Sequence, residues 1–365
     1  MKTIYAITTL SGTIIGAGLF ALPYLALKLG FWVILVYFIV LGGFVILIHQ
    51  FFGELALKTP DYKRLPGFAK MYLGRKGEII SYTSTIFSIF GALLAYLILG
   101  GEFLTEILQP FFGGEAIHYT LLYFALGATV IICGIKAIAK VELWAFVLFF
   151  VILFAIFFQG KDFILADNFL VKTDWSSLFL PYGVILFSLW GATLIPEIEE
   201  MLGEKRKHIN KVIAISILLS ALVYIFFAYL VLGITGPQTT ESALTGLRIV
   251  LNNGAVCLAL IFGILTTFTS FISLGLTLKK VFWYDLKFKK IVAWGLTCFV
   301  PLFLYLAGIK SFIDVIGVVG GMMLALDGIL ILLMYRKIRP ERWWLICPLI
   351  LLLLGGIIYS IIYFS

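Results

Sequence analysis

Residues 11–23 read Ser-Gly-Thr-Ile-Ile-Gly-Ala-Gly-Leu-Phe-Ala-Leu-Pro, in the middle of the first membrane-length apolar stretch of the chain. About 20 residues cross a bilayer most simply as one unbroken helix. Gly12, Gly16, Gly18 and Pro23 weaken the helix near mid-depth instead. Backbone groups released there are costly in lipid, so a break persists only where it lines a polar cavity or is buried in protein. The first span is therefore a candidate solute or ion site of the kind that secondary transporters build at discontinuous helices.

Composition sets the broad class. Hydrophobic residues make up 62% of the 365, charged residues 13%, and the mean hydropathy is +1.12. A soluble globular domain does not look like this. Eleven apolar spans fall near 5–28, 32–57, 79–108, 119–138, 141–159, 177–200, 209–233, 252–282, 289–308, 312–335 and 343–364. They predict an all-α integral membrane protein, a single transmembrane domain over 1–365, with its activity inside the bundle.

Charge orients the spans. With the N-terminus inside, 22 of the 27 Lys and Arg face the cytoplasm, in clusters at 58–76, 136–140, 205–211, 279–290 and 336–342 together with Lys2. Lys28, Lys161, Lys172, Arg248 and Lys310 remain outside. Every loop obeys the positive-inside rule. The expectation is a multi-pass protein of a plasma or inner membrane with a cytoplasmic N-terminus and an outer C-terminus. The net charge of +8 is then a topology signal that calls for no nucleic-acid partner. The Met-Lys start and apolar run do not read as a signal peptide, whose apolar region is shorter. Cys133, Cys257, Cys298 and Cys347 fall inside spans without metal-like spacing, and read as small buried hydrophobes.

A second interruption lies in span six: Phe187-Ser188-Leu189-Trp190-Gly191-Ala192-Thr193, then Pro196. Spans one and six are five apart and enter from opposite sides. That spacing predicts a five-plus-five inverted repeat with broken helices 1 and 6 crossing at mid-membrane, over 1–160 and 165–338, plus one extra C-terminal helix at 341–365.

The motif Gly-Thr-Ile-Ile-Gly-Ala-Gly-Leu-Phe-Ala-Leu-Pro-Tyr at 12–24 resembles the first-helix signature of the amino acid/polyamine/organocation superfamily. Tyr182-Gly183-Val184-Ile185-Leu186-Phe187-Ser188, ending Ile195-Pro196-Glu197-Ile198-Glu199-Glu200-Met201, is similar to the sixth helix of the amino acid/auxin permeases and bacterial tryptophan/tyrosine permeases. Gly91 to Glu102 fits their third helix, and the eleven-span plan is also theirs.

A helix N-terminus offers unpaired N–H groups and about half a positive charge. The resemblance implies that an amino acid's carboxylate docks at Gly16, Ala17 and Gly18, and its ammonium at carbonyls near Gly12, Thr13 and the 187–189 turn. Neither break holds a charged side chain, which disfavours basic substrates. Selectivity is expected from Phe187, Ser188, Leu189 and Trp190, with Tyr96 on span three, an apolar and aromatic wall suited to a neutral and large side chain. The plainer alternative is that the glycines serve close helix packing.

Span eight carries Thr266, Thr267, Thr269, Ser270, Ser273 and Thr277, a hydroxyl stripe at helical spacing. In the superfamily a sodium ion joins span-one carbonyls to span-eight hydroxyls. The resemblance places it at the carbonyls of Gly12, Ile15 and Thr266 and the hydroxyls of Thr269 and Ser270. No other cofactor is expected. Membrane Ser and Thr also bond back to their own helix without further role. Some proton-coupled relatives fill this position with a span-five lysine; counting on from Glu142 gives Phe149 here, and 141–159 contains no Lys. A proton route would use Asp327 on span ten, the candidate proton site.

Glu102 and Glu106 are expected to face an outer vestibule. His49 and Glu54 would form an interface pair near the inner end of span two. Glu197, Glu199 and Glu200 oppose the dipole at the end of span six and call for basic partners from 205–207 or 58–76. The function expected is secondary transport of a neutral amino acid with sodium; proton coupling, or a sensor on the same fold, are the alternatives. A membrane enzyme lacks support, since the chain has three histidines and no HExxH or nucleophile elbow.

Overall fold

The computed structural model describes residues 2–59, 63–134, 138–251 and 254–364, with side chains throughout except at 138–146 and 255. Lys136, one of the inner charges, lies outside the described residues, as do the side chains of Lys140 and Glu142.

Helices occupy all eleven apolar spans. Span one is α1 (Lys2–Ile14) and α2 (Gly18–Leu29), bent by 58°. Spans two to five are α3 (Phe31–Lys58), α4 (Leu65–Phe112), α5 (Ala116–Cys133) and α6 (Ile138–Gly160). Span six is α7 (Leu180–Leu189) and α8 (Ile195–Leu202), and span seven is α9 (Ile209–Thr235). A short α10 (Leu244–Leu251) precedes α11 (Gly254–Lys280) and α12 (Lys290–Leu306), spans eight and nine. Span ten joins α13 (Phe312–Val318) to α14 (Ala325–Ile338), and α15 (Trp343–Phe364) ends the chain.

Packing joins counterparts of the two halves. The first span lies on α8 and α9, α3 lies on α7 and α9, and α4 makes its most extensive interface with α11. Spans one with six, two with seven and three with eight are each five apart. The element order and these pairings are those expected of an inverted-repeat membrane fold. It has a bundle of spans one, two, six and seven beside a scaffold in which α4 and α11 pack on each other, α5 and α12 on both, and α6 on α11.

Several details were hidden in the sequence. α4 begins with a short helix turned aside at Gly74, whose φ of 76° suits glycine. Span ten is interrupted by a π-helical stretch at Val319–Leu324, an insertion that opens the backbone ladder. Lys279, assigned to an inner loop, is buried in α11 and donates at 2.6 Å to the Ile131 carbonyl in the last turn of α5, satisfying a helix-end acceptor. Cys133 and Cys257 are exposed on the bundle surface rather than buried.

Candidate functional site

The first break spans three residues, Ile15 to Ala17. Gly12 remains inside α1 and Pro23 inside α2, so Gly16 carries the interruption while Pro23 sits beyond it. In span six Gly191 lies in the break and Pro196 opens α8, a helix-start position that needs no N–H.

Tyr224 of α9 ties the two breaks together. Its fully buried hydroxyl accepts the Gly16 amide at 3.2 Å. It shares its own proton between the Ile14 carbonyl at 2.5 Å and the Ser188 carbonyl at 3.0 Å. Three backbone groups freed by two breaks thus meet one side chain, as burial in an apolar bundle demands. Ser216, about two helical turns away on the same stripe of α9, donates to Ile7 at 3.2 Å, and Ser11 returns a bond to the Ser216 carbonyl at 3.4 Å.

What Tyr224 leaves open is the second feature. Among the described residues, the amides of Ala17 and Gly18 at the start of α2 donate to nothing, and the carbonyls of Gly12 and Thr13 at the end of α1 accept nothing. Two donors on the positive end of one half-helix and two acceptors on the negative end of the other suit an ammonium-carboxylate pair.

The selectivity residues divide. Ser188 crosses span one at Gly18, where a Cβ would lie 3.0 Å from the Ser188 Cα, so only glycine allows the approach. Tyr96 brings its hydroxyl 3.7 Å from the place a Gly16 Cβ would occupy. Phe187 is half-buried in the last helical turn of α7, so residues 187–189 are helical and the break itself falls at Trp190 and Gly191. Leu189 instead points to α3, 3.8 Å from a Cβ position on Gly42. Trp190 lies against the His49 ring, 4.9 Å between centroids, and reaches toward Gly328 of α14.

His49 and Glu54 do not pair. His49 Nδ1 donates to its own helix at Val45, 2.8 Å away, and Nε2 accepts the Gly191 amide at 2.9 Å, the neutral tautomer being the one that satisfies both. Glu54 accepts from Tyr335 at 2.7 Å and faces Arg342 at 3.5 Å, while Phe51 stacks on the Tyr335 ring at 4.2 Å.

On span eight, Thr266 donates to Phe262 at 2.6 Å and Thr269 to Thr266 at 3.1 Å, both within α11. Ser270 is half-buried, and its hydroxyl has no hydrogen-bond partner among the described residues. α11 packs mainly on α4, α6, α5 and α12. Asp327 is buried in α14, where the Ser84 hydroxyl of α4 donates to its carboxylate. Ser84 also lies 3.0 Å from the Ser81 carbonyl, and the buried Ser81 hydroxyl has no partner among the described residues.

Glu102 and Glu106 are fastened to α10 and the turn before it. Glu102 accepts from Ser242 at 2.6 Å and Thr245 at 2.9 Å, and Glu106 pairs with Arg248 at 2.7 Å. Beside them, burial raises the Glu241 carboxyl above its ordinary range, with Asp314 and Glu102 adding to the rise and Lys28 opposing it. In the span-six cluster only Glu199 has an ion pair among the described residues, with Arg206 at 3.9 Å.

Sequence reasoning missed Tyr224 and the His49–Gly191 bond. The available signal for the first was Ser216, Ser220 and Tyr224 recurring every four residues in an otherwise apolar span, a stripe that faces span one.

The tyrosine-specific transport system 1 of Haemophilus influenzae is 25% identical over 295 residues, covering 76% of this chain and 72% of that protein. The low affinity tryptophan permease of Escherichia coli K12 is 25% identical over 249 residues, 63% of this chain and 57% of that one. Among solved structures, the inward-facing form of Mhp1 superposes with a TM-score of 0.69 at 11% identity, covering 93% of this chain and 77% of its own. MhsT in complex with L-phenylalanine gives 0.63 at 14%, covering 96% and 98%. These two share the fold. A profile of the tryptophan/tyrosine permease family matches residues 1–362, and the chain belongs to that family.

Proposed function

We propose that the chain is a symporter for a neutral amino acid with an aromatic or large aliphatic side chain, held between broken spans one and six. As a member of a permease family it is a transporter and not an enzyme. The observation that carries the reading is the pairing of open groups at the first break: the amides of Ala17 and Gly18 for the carboxylate, the carbonyls of Gly12 and Thr13 for the ammonium. Gly16, Tyr96, Phe187, Ser188 and Trp190 supply the surrounding wall. The names of the two relatives, a tyrosine transport system and a tryptophan permease, support an aromatic side chain.

Substrate moves inward across a plasma or inner membrane, with the N-terminus cytoplasmic and the C-terminus outside. The repeats at 1–160 and 165–338 rock about the crossing, and 341–365 stays outside the repeat. Sodium is the proposed coupling ion, at the carbonyls of Gly12, Ile15 and Thr266 and the hydroxyls of Thr269 and Ser270. A specific observation favours a second reading. Asp327 is a buried carboxyl with a serine partner, and intramembrane carboxyls are costly enough to be kept for function. In that reading Asp327 carries a proton.

Uptake of labelled tryptophan, tyrosine, leucine and alanine into proteoliposomes tests this. Accumulation under an inward sodium gradient, lost in T269A and S270A, supports sodium. Accumulation under a pH gradient alone, lost in D327N, supports the proton. No accumulation of any of the four under either gradient contradicts the proposed function.

A further inference from the structure

The link between α11 and α12 carries Lys279, Lys280, Lys287, Lys289 and Lys290 against one acid, Asp285. It is a folded turn. A π-helical stretch at Val281–Asp285 closes α11, Lys287 takes a left-handed φ of 61°, and the Phe288 amide donates back to the Phe282 carbonyl at 2.9 Å. Phe282 is buried and meets Phe90 of α4, which anchors the turn to the scaffold.

Its charge is uncompensated. Among the described residues, the basic clusters at 58–76, 205–211 and 336–342 each hold an ion pair: Lys70 with Glu78, Arg206 with Glu199 and Arg342 with Glu54. The lysines of this turn hold none among the described residues. Lys279 is committed to the Ile131 carbonyl, whereas Lys280, Lys287, Lys289 and Lys290 are exposed. Like charges gathered this closely on one turn repel one another and attract an anion.

The same turn is also apolar. Tyr284, Leu286, Phe288 and Ile291 are all exposed beside the lysines. The membrane-length apolar run that contains α11 ends at Asp285, so Trp283 and Tyr284 fall at the end of a span, the level at which these residue types meet lipid headgroups. Their rings stack at 4.3 Å, and the Lys290 ammonium lies 5.5 Å over the Trp283 ring. We propose that this turn binds an anionic phospholipid, its phosphate drawn by Lys280, Lys287 and Lys289 and its upper tails lying on Tyr284, Leu286 and Phe288. A free anion would leave the apolar side chains in water, and a zwitterionic lipid would leave the lysines uncompensated. By the charge-derived topology the lipid belongs to the inner leaflet, held at the ends of α11 and α12.

The test uses the full chain, delipidated in detergent and titrated with phosphatidylglycerol or phosphatidylcholine of the same acyl chains, with binding followed by native mass spectrometry. Each lysine near an anionic lipid is worth about fivefold in affinity, so phosphatidylglycerol should bind about tenfold more tightly or better. K280Q/K287Q/K289Q should bring the two lipids to near parity. K205Q/K207Q/K211Q removes the same charge from exposed lysines of another inner cluster and should leave the preference unchanged. In the unaltered chain, raised salt should shrink the preference, and phosphatidylglycerol with a diazirine on one tail should label peptides within 281–292; these two measurements carry the test should the triple variant not fold. Equal binding of the two lipids, an equal loss in both triple variants, label confined to other surfaces, or displacement of the lipid by inorganic phosphate would each overturn the proposal. No transport is read, so the outcome is independent of the substrate and coupling ion proposed above.

Discussion

The Gly16 amide and the Tyr224 hydroxyl meet at 3.2 Å across 208 positions of chain, joining the first helix break to span seven. The same hydroxyl serves the Ile14 and Ser188 carbonyls. Tyr224→Phe keeps the ring and strands these groups. An orphaned buried polar group costs about 1–3 kcal/mol, so substrate affinity should fall by about tenfold or more and the melting temperature should drop. Binding titration and thermal unfolding of the purified variant check both.

Gly18 is the place where span one passes closest to span six. Gly18→Ala drives a methyl group into Ser188, with even the Ser188 Cα only 3.0 Å away. Uptake should fall to background while the protein still reaches the membrane. Adding Ser188→Gly removes the side-chain part of the clash and should restore part of the uptake. An unimpaired G18A variant would remove the crossing from the account.

The His49 ring accepts the Gly191 amide at 2.9 Å and so caps the second break. His49→Leu preserves apolar bulk but leaves that buried amide without an acceptor. The expected loss is about 1–3 kcal/mol of stability, read as a lower melting temperature. His49→Ala should cost more, because it also empties the space beside Trp190.

Glu241 gives the pH dependence. Burial first, then Asp314 and Glu102, hold its carboxyl above the ordinary range. A carboxyl raised on folding favours the folded state below its unfolded pKa and loses that favour as pH rises through the folded value. Ionised Glu241 therefore strains the turn leading into α10 at neutral pH. E241Q should melt higher than wild type at pH 7.5, and the gap should close as pH falls toward about 4.3, the unperturbed value for Glu. Melting curves of the two proteins between these pH values check the sign.

How far these features were legible in the sequence follows from their range. The eleven spans, both breaks and the five-plus-five plan could be read because apolar run length, Gly and Pro placement and loop charge are local signals. Gly16 and Gly191 are both in breaks, as expected. The partners were not legible. Tyr224, His49 and Ser84 act on backbone or side chains 36 to 243 positions away, and no local periodicity encodes which helix a polar atom will face. Leu189 shows the same limit from the other side. Its place in the span-six turn suggested the pocket, yet the helical phase of α7 turns it toward Gly42. The span-eight hydroxyls were found by spacing, but spacing could not say that Thr266 and Thr269 bond within α11.

The central claim is that backbone groups at the first break hold both charges of an amino acid. Equilibrium binding of tryptophan, tryptamine and indole-3-propionate to the purified protein tests it most directly. Tryptamine lacks the carboxylate for the Ala17 and Gly18 amides, and indole-3-propionate lacks the ammonium for the Gly12 and Thr13 carbonyls. Charge-assisted hydrogen bonds are worth about 1.5–3 kcal/mol each, so the account predicts that tryptophan binds and each analogue binds at least about tenfold more weakly. Tryptamine or indole-3-propionate binding as tightly as tryptophan would contradict it.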